Sequence, residues 1–147
     1  MDSLDRYLWT QAGQDVRRKA NGVFILVDVD EPNVVLGYYT LCATSLQHGS
    51  VPVAARKGLP RYPLVSATLI GRMAISLTRQ GERLGTILLA DAVRRAYASA
   101  DTVGSSMVIV DAIDERATKF YVDAGFIQLP DSFRLVLPMH TIQKLLG

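Results

Sequence analysis

The feature that most constrains the fold is a succession of strand, helix and strand between residues 64 and 110. Apolar residues over 64–76 predict a long strand, and a polar, glycine-bearing turn follows at 78–85. Apolar positions on one face then predict a helix that ends near Ala100, and residues 107–110 predict a short buried strand. A crossover of this length favours parallel pairing of the two strands.

Further patterned segments lie on either side of this unit. They predict a helix over Leu4 to Lys19, strands over Val23 to Val29 and Val34 to Ser45 separated by a turn at Glu31-Pro32-Asn33, a long loop over Gln47 to Leu64, a helix from an Asp114 cap to Ala124, a strand over Phe133 to Leu137 and a last helix capped by Thr141. The first two strands are expected to form an antiparallel hairpin. The fold class is therefore α+β, with a mixed, mostly antiparallel sheet, a central parallel strand pair and flanking helices.

Composition narrows the class of protein further. With 147 residues, 49% of them hydrophobic, and a net charge of +2, the chain fits one folded domain over residues 1–147 rather than a disordered segment. One cysteine and two histidines exclude an intrachain disulfide and a cysteine-based zinc cage, so no metal is expected. Apolar runs are too short to cross a membrane, and the polar, acidic start is unlike a secretory signal. We therefore expect a cytoplasmic protein without a membrane partner.

The turn at residues 79–86 reads Arg-Gln-Gly-Glu-Arg-Leu-Gly-Thr and joins a strand end to a helix start. Its glycines let the backbone approach a ligand, and the free N–H groups of a first helical turn favour a phosphate. Arg79 or Arg83 could add a charged contact. A Walker loop would need a lysine after Gly85, and a dinucleotide fingerprint would need another glycine spacing. Alone, the turn is equally compatible with an ordinary strand-to-helix connection.

A second segment, residues 117–126, reads Ala-Thr-Lys-Phe-Tyr-Val-Asp-Ala-Gly-Phe. It resembles the A-x-x-FY-x-x-x-GF signature of the GNAT N-acetyltransferase superfamily. Gln80-x-x-Arg83-x-Gly85 resembles the acyl-CoA loop Gln/Arg-x-x-Gly-x-Gly/Ala of the same superfamily, and the order and separation of the two segments agree with it. The resemblance implies a GNAT fold and an N-acetyltransferase that uses acetyl-CoA as co-substrate and no metal.

A narrower resemblance covers nearly the whole chain. The acetyltransferase toxins of bacterial type II toxin–antitoxin modules are similar to the stretches Val35-Leu-Gly-Tyr-Tyr-Thr-Leu, Leu59-Pro-Arg-Tyr-Pro, Leu69-Ile-Gly-Arg-Met-Ala-Ile, Gln80-Gly-x-x-Leu-Gly-x-x-Leu-Leu-Ala-Asp-Ala and Val110-Asp-Ala. The resemblance implies acetylation of the α-amino group of an aminoacyl-tRNA, which inhibits translation. It also implies a homodimer and neutralisation by a ribbon–helix–helix antitoxin.

The resemblance assigns a role to individual residues. Tyr121 would protonate the leaving thiolate, and backbone groups of residues 73–75 would hold the pantetheine arm. The cofactor-binding candidates are Met73, Ala74, Ile75, Gln80, Gly81, Glu82, Arg83, Leu84, Gly85, Thr86 and Phe120. Packing in the core accounts for Phe126 and for most of the role of Phe120.

The chain departs from the family pattern at three points. Arg83 replaces the central glycine of the loop; because only its backbone N–H is needed, phosphate binding is expected to survive if φ at this residue is negative. Ser76 stands where the subgroup commonly has aspartate. The strand that usually precedes the first helix, here Leu4-Asp-Arg-Tyr-Leu8, is absent, so one sheet edge is expected to be missing or differently supplied.

The proposed chemistry is direct attack of an amine on the acetyl thioester, with Tyr121 as the proton donor. No histidine or glutamate occupies a motif position for a general base. An α-amino group has a pKa of about 7.7–8.0, against about 10.4 for lysine, and esterification lowers the amine pKa further. An enzyme without a strong base therefore fits an aminoacyl ester better than a lysine side chain.

Two basic clusters predict contacts to tRNA phosphates, which would make binding salt-sensitive. The candidates are Arg17, Arg18 and Lys19 at the end of the first helix and Arg56, Lys57 and Arg61 in the long loop. For each residue alone, a solvated surface is the simpler account. Three hypotheses remain: a toxin that acetylates aminoacyl-tRNA, an acetyltransferase of the same fold acting on a small-molecule or protein amine, and a non-catalytic member that binds a partner.

Overall fold

The structure is a computed structural model that describes residues 6, 7 and 10 to 146. The helices of this part are α1 (Ala12–Arg17), α2 (Leu84–Val103), α3 (Glu115–Asp123) and α4 (Met139–Leu146). The strands are β1 (Gly22–Asp28), β2 (Glu31–Gln47), β3 (Leu64–Ile75), β4 (Met107–Asp111), β5 (Ile127–Gln128) and β6 (Arg134–Pro138).

The six strands form one mixed sheet in the order β1-β2-β3-β4-β6-β5. The pairs β1–β2, β4–β6 and β5–β6 are antiparallel, whereas β3 and β4 are parallel. The predicted α+β class, with a mostly antiparallel sheet and a central parallel pair, is therefore confirmed. By contact density the chain divides into two compact units, which are described separately; a single domain stays a prediction.

The first unit contains the described residues up to Cys42 together with Ile70–Ala92. Its hairpin joins β1 to β2 through a two-residue turn at positions 29 and 30, and the amide of Asp30 donates to Asp28 Oδ1 at 2.9 Å. The predicted turn at residues 31–33 is wrong, because β2 already begins at Glu31. Pro32 is tolerated there because the start of a strand does not require every backbone donor.

Helix α1 is tied to this unit by a polar network around Tyr7. The hydroxyl of Tyr7 donates to Asp15 Oδ2 at 2.6 Å and accepts from Asn21 Nδ2 at 3.0 Å. The guanidinium of Arg72 lies 4.0 Å from the centre of the Tyr7 ring. The start of the predicted helix, at Leu4, lies outside the described residues. Helix α1 ends before Lys19, which has φ 58°.

The second unit contains Ala43–Leu69 and the described residues from Val93 onward, and it contains a buried apolar cluster. The buried cluster consists of Leu46, Val51, Ala55, Val65, Ala67, Met107, Ile109, Leu129 and Val136. Two short 3₁₀ helices, His48–Ser50 and Val53–Ala55, occupy the predicted long loop. The last helix begins at Met139, so Thr141 lies inside it rather than at its cap.

Candidate functional site

The end of β3 holds the three residues predicted to contact the pantetheine arm. Met73, Ala74 and Ile75 are half-buried, and the amide that follows them, on Ser76, donates to the carbonyl of Leu36 at 2.7 Å. A Cβ at Gly37 would lie 2.8 Å from the Ala74 oxygen and 2.8 Å from Ile75 Cδ1. Strand β2 therefore passes so close to this end of β3 that only glycine fits.

A long-range hydrogen bond joins helix α2 to strand β2. The buried Tyr39 side chain donates from its hydroxyl to Asp91 Oδ2 at 2.5 Å. The Tyr39 ring stacks on Phe24, with ring centres 5.2 Å apart. Leu88, one turn before Asp91, would lie 3.4 Å from a Cβ at Gly37. These contacts hold the first half of α2 against β2.

The loop that precedes α2 contains two residues with positive φ. Gly81 has φ 91° and Arg83 has φ 59°, and the carbonyl of Arg83 accepts from the amide of Ile87 at 3.2 Å, at the start of the helix. The negative φ under which phosphate binding was expected to survive is therefore not found at Arg83. Arg83 adopts the left-handed conformation that glycine favours, at a cost of about 1–2 kcal/mol for an L-residue. A glycine at this central position of the motif would adopt the same conformation without that cost.

The amides that follow this loop are suited to an anion. The first N–H groups of a helix have no partner within the helix, and the helix dipole favours negative charge there. In α2 these groups belong to Leu84, Gly85 and Thr86, and Gln80 to Arg83 before them are exposed. The candidate diphosphate ligands therefore lie next to one another, at the accessible start of the helix.

Side-chain charges in the loop are already partly paired. Arg79 Nε lies 2.6 Å from Glu82 Oε2, and this carboxylate raises the pKa of the Arg79 guanidinium, with smaller contributions from Asp28 and Glu31. Arg83 forms no ion pair within the described part of the chain. Of the two arginines expected to assist phosphate binding, one is held by an acid and the other is free.

The second unit carries the predicted proton donor on α3. Asp114 caps this helix, since its Oδ1 accepts from the amide of Ala117 at 2.8 Å. The Tyr121 ring packs edge-on against Phe120 and Phe126, with ring centres 5.2 and 5.6 Å apart. Gly125, at φ 108°, ends the helix and turns the buried Phe126 back beneath it.

The chemical state of Tyr121 follows from this packing. Burial of the ring raises the pKa of the Tyr121 hydroxyl above its ordinary value of 10.0, so the proton is held at neutral pH. Among the described residues no side-chain oxygen is both fully buried and without a hydrogen-bond partner, and the Tyr121 hydroxyl makes no hydrogen bond there. The hydroxyl therefore reaches the accessible surface, while the half-buried Phe120 packs against the Tyr121 ring.

The residues predicted to contact tRNA differ in whether their side chains are already hydrogen-bonded within the protein. Arg17, Arg18 and Lys19 are exposed in the first unit, and Lys57 and Arg61 are exposed in the second. Arg56 instead donates from Nε to the carbonyl of Val51 at 2.6 Å and from a terminal nitrogen to the carbonyl of Gly49 at 3.3 Å. It shapes the loop and lines a cleft of about 550 Å³.

Sequence reasoning missed three residues that position this site: Gly37, Tyr39 and Asp91. A glycine inside an otherwise β-branched strand is itself a signal of close backbone approach, and Gly37 carried that signal. The partners Tyr39 and Asp91 are 52 positions apart, and no local pattern connects them. Within the described ranges no cluster of three or more metal-ligating side chains occurs, and no helix is both long and apolar enough to cross a membrane.

Comparisons with known proteins agree with this geometry. No protein-family model matches the chain. A tRNA-acetylating toxin of Mycobacterium tuberculosis is 34% identical over 146 residues, which cover 99% of this chain and 85% of the toxin. The structure of AtaT complexed with acetyl-methionyl-tRNAfMet has a TM-score of 0.90 at 29% identity and matches 100% of this chain and 88% of that one.

A second solved structure bears on the ligands. It is a tyrosine-to-phenylalanine mutant of the toxin AtaT bound to the C-terminus of the antitoxin AtaR and to acetyl-CoA. It superposes with a TM-score of 0.81 at 27% identity and covers 100% of this chain and 86% of its own.

Proposed function

The chain belongs to the family of tRNA-acetylating toxins, and we propose that it transfers the acetyl group of acetyl-CoA to the α-amino group of an aminoacyl-tRNA and so inhibits translation. The observation that carries the proposal is the likeness to a tRNA-acetylating toxin over 99% of the chain. It is supported by a solved relative, AtaT, that binds an acetylated aminoacyl-tRNA. The reaction belongs in the cytoplasm, where charged tRNA is used.

The first unit supplies the groups that we assign to the coenzyme. Backbone groups of Met73, Ala74 and Ile75 bind the pantetheine arm, as an added strand would. The amides of residues 80–86 bind the diphosphate at the start of α2. The exposed loop and the unpaired first amides of α2 support this assignment, because both leave N–H groups accessible to an anion.

The chemical step needs one proton donor. The amine nitrogen attacks the thioester carbonyl, the carbon–sulfur bond breaks as the tetrahedral intermediate collapses, and the sulfur leaves as a thiolate. Tyr121 donates its proton to that sulfur, and the proton lost by the amine goes to solvent. An accessible hydroxyl with a raised pKa supports this role, because it is protonated whenever the thiolate forms.

The acceptor and the partners are proposed on chemistry and family membership. An aminoacyl ester has an amine pKa near or below 7.7, so much of it is already neutral at pH 7 and needs no strong base. We assign the phosphate contacts to Arg17, Arg18 and Lys19 and to Lys57 and Arg61, which are exposed. We further propose that the protein is a homodimer of single-domain protomers. The amino acid that it acetylates is esterified to tRNA, and a ribbon–helix–helix antitoxin inhibits the reaction.

The test is acetyl transfer from labelled acetyl-CoA to a panel of acceptors. The panel contains charged tRNA, free amino acid methyl esters, a lysine peptide and a small polyamine. We expect labelled aminoacyl-tRNA, and inhibition of protein synthesis in an extract only when acetyl-CoA is present. Transfer to the peptide or polyamine alone would replace this function with acetylation of a small-molecule or protein amine. If the protein shows no saturable binding of acetyl-CoA, only a partner-binding role remains.

A charge series separates tRNA contacts from loop structure. Replacing Lys57 and Arg61 together by glutamine is expected to raise KM for charged tRNA and to lower its salt dependence, with unchanged affinity for acetyl-CoA. Arg56→Gln is the matched comparison, because its guanidinium binds the loop carbonyls. It should lower thermal stability instead. Equal loss of coenzyme and tRNA affinity in the Lys57 and Arg61 variant would contradict its assigned role.

A further inference from the structure

We propose that Glu82 sets the affinity of the coenzyme site by competing with the coenzyme diphosphate for the side chain of Arg79. In the free protein the carboxylate occupies the guanidinium, and the diphosphate displaces it on binding. This inference rests on the proposed function, because it concerns how the same loop receives acetyl-CoA. It adds a residue that tunes affinity to a loop that otherwise binds through its backbone.

The first support is geometric. Arg79 Nε and Glu82 Oε2 are 2.6 Å apart, three residues from each other, and the bond spans the loop that leads into α2. About a third of the Arg79 side chain and about half of the Glu82 side chain are exposed. A pair this accessible is open to exchange, since a surface ion pair contributes little to stability.

The second support is the position of Glu82. It lies between Gly81 at φ 91° and Arg83 at φ 59°, one residue before the Arg83 carbonyl that starts α2. Glu82 is two residues before Leu84, so its carboxylate belongs to the same loop as the amides to which the diphosphate is assigned. Two negative groups at one helix start repel each other, so the occupant with more charge and more acceptor atoms is favoured.

The third support is the surrounding charge. Asp28 and Glu31, which flank the hairpin turn of the same unit, also raise the pKa of Arg79, so three carboxylates act on one guanidinium. Arg83 has no such partner in the described residues. An anion entering the loop thus meets one free arginine and one that an acid must release. The cost of that release falls on the coenzyme, and it lowers the affinity.

The experiment compares acetyl-CoA binding to wild type and to Glu82→Gln by calorimetry at low salt. We expect Glu82→Gln to bind about two- to fivefold more tightly, with the gain shrinking as salt screens the pair. Asp123→Asn is the matched control, because it removes the acid of another exposed ion pair, Lys119 with Asp123 at 2.8 Å, and the same unit of charge. Its Kd should equal that of wild type.

Truncated ligands identify which phosphate takes part. Dephospho-CoA lacks the 3′-phosphate and should keep the gain in Glu82→Gln, whereas S-acetyl-pantetheine lacks the diphosphate and should bind both proteins equally. A gain that persists with S-acetyl-pantetheine would overturn the proposal, since the carboxylate would then act on loop shape. A gain that vanishes with dephospho-CoA would also overturn it, in favour of the 3′-phosphate.

A second variant tests the exchange itself. Arg79→Gln should weaken acetyl-CoA binding, and it should weaken it more in the Glu82→Gln background, where the guanidinium is free for phosphate. A double variant that binds like the Glu82→Gln single variant would overturn the proposal, because Arg79 would then only neutralise Glu82. Measurements on the wild type distinguish failure of the proposed function from failure of this proposal. If the wild type does not bind acetyl-CoA saturably, the proposed function is wrong. If it binds acetyl-CoA but Glu82→Gln binds no more tightly, only this proposal is wrong.

Discussion

The loop before α2 and the helix α3 perform their assigned roles by different means. The loop presents backbone amides, and Arg83 can replace a glycine there because it keeps the left-handed φ of 59°. Helix α3 presents one hydroxyl, on Tyr121, whose pKa is set by the burial of its ring. Under the proposed function, the backbone conformation is expected to matter more than the residue type in the loop, whereas in the helix the tyrosine itself is expected to be needed.

The largest effect is expected from a substitution in helix α3, which tests whether the tyrosine itself is needed. Tyr121→Phe removes the proton donor while keeping the ring between its aromatic neighbours, so kcat should fall about 10²-fold or more. The Kd for acetyl-CoA should stay within twofold, because the diphosphate loop is unchanged. Rates with a charged tRNA under saturating acetyl-CoA, together with calorimetry, measure both. An unchanged kcat would mean that another group protonates the thiolate.

The next effect tests whether the loop depends on its anchor. Tyr39→Phe deletes the hydrogen bond to Asp91 and should lower the free energy of unfolding by about 1.5–3 kcal/mol, the range for a bond to a charged group. Acetyl-CoA affinity should fall with it, because the start of α2 loses its tie to β2. Chemical denaturation and calorimetry are the measurements.

The matched comparison for Tyr39→Phe is Asp114→Ala, which deletes the cap of α3 and should cost about 0.5–2 kcal/mol. That variant should lower kcat and leave coenzyme affinity alone. If both variants change the same kinetic constant, the division of labour between the loop and the helix is wrong.

The pH profile sharpens the role of Tyr121. Because burial raises its pKa above 10.0, the Tyr121 hydroxyl stays protonated, and therefore neutral, through the whole range up to about pH 10. The rate should fall on the acid side, as the acceptor amine becomes protonated below its pKa near 7, and should show no loss between pH 8 and 10. A decline within that interval would indicate that Tyr121 has a lowered pKa or that a different acid acts.

The smallest effect is expected at Arg83. Arg83→Gly removes the strain of a left-handed L-residue, worth about 1–2 kcal/mol, but adds the entropy cost of glycine in the unfolded chain, about 0.5–1 kcal/mol. Stability should change little or rise slightly, and acetyl-CoA affinity should stay within about threefold. A loss of binding beyond tenfold would show that the Arg83 side chain, rather than its backbone, contacts the coenzyme.

Local patterns were sufficient for most of the framework. The apolar run over 64–76 predicted a strand found at Leu64–Ile75, and the predicted Asp114 cap and terminal glycine of α3 are both present. Each of these signals is contained in a few neighbouring residues. The turn at residues 31–33 was wrong because the Asp28 side chain, binding the amide of Asp30, closes the hairpin earlier than the proline suggests.

The rest of the site depended on contacts between distant residues. The sign of φ at Arg83 is set by the whole loop, so the identity of the residue did not predict it. The pairing of Arg56 with the carbonyls of Val51 and Gly49 was equally hidden, because a cation in a loop reads as a solvent or RNA contact. Roles for Met73 to Thr86, Phe120 and Tyr121 came from the family resemblance and stay predictions.

The uninterrupted run of β3 has a consequence for how such a gene can diverge. The strand runs from Leu64 to Ile75 with no turn inside it. A deletion of a single codon inside it would reverse the face of every later side chain up to Ile75, because strand periodicity is two. Changes in length should accumulate in the segment before Leu64, where the chain is irregular, and be purged from the strand itself.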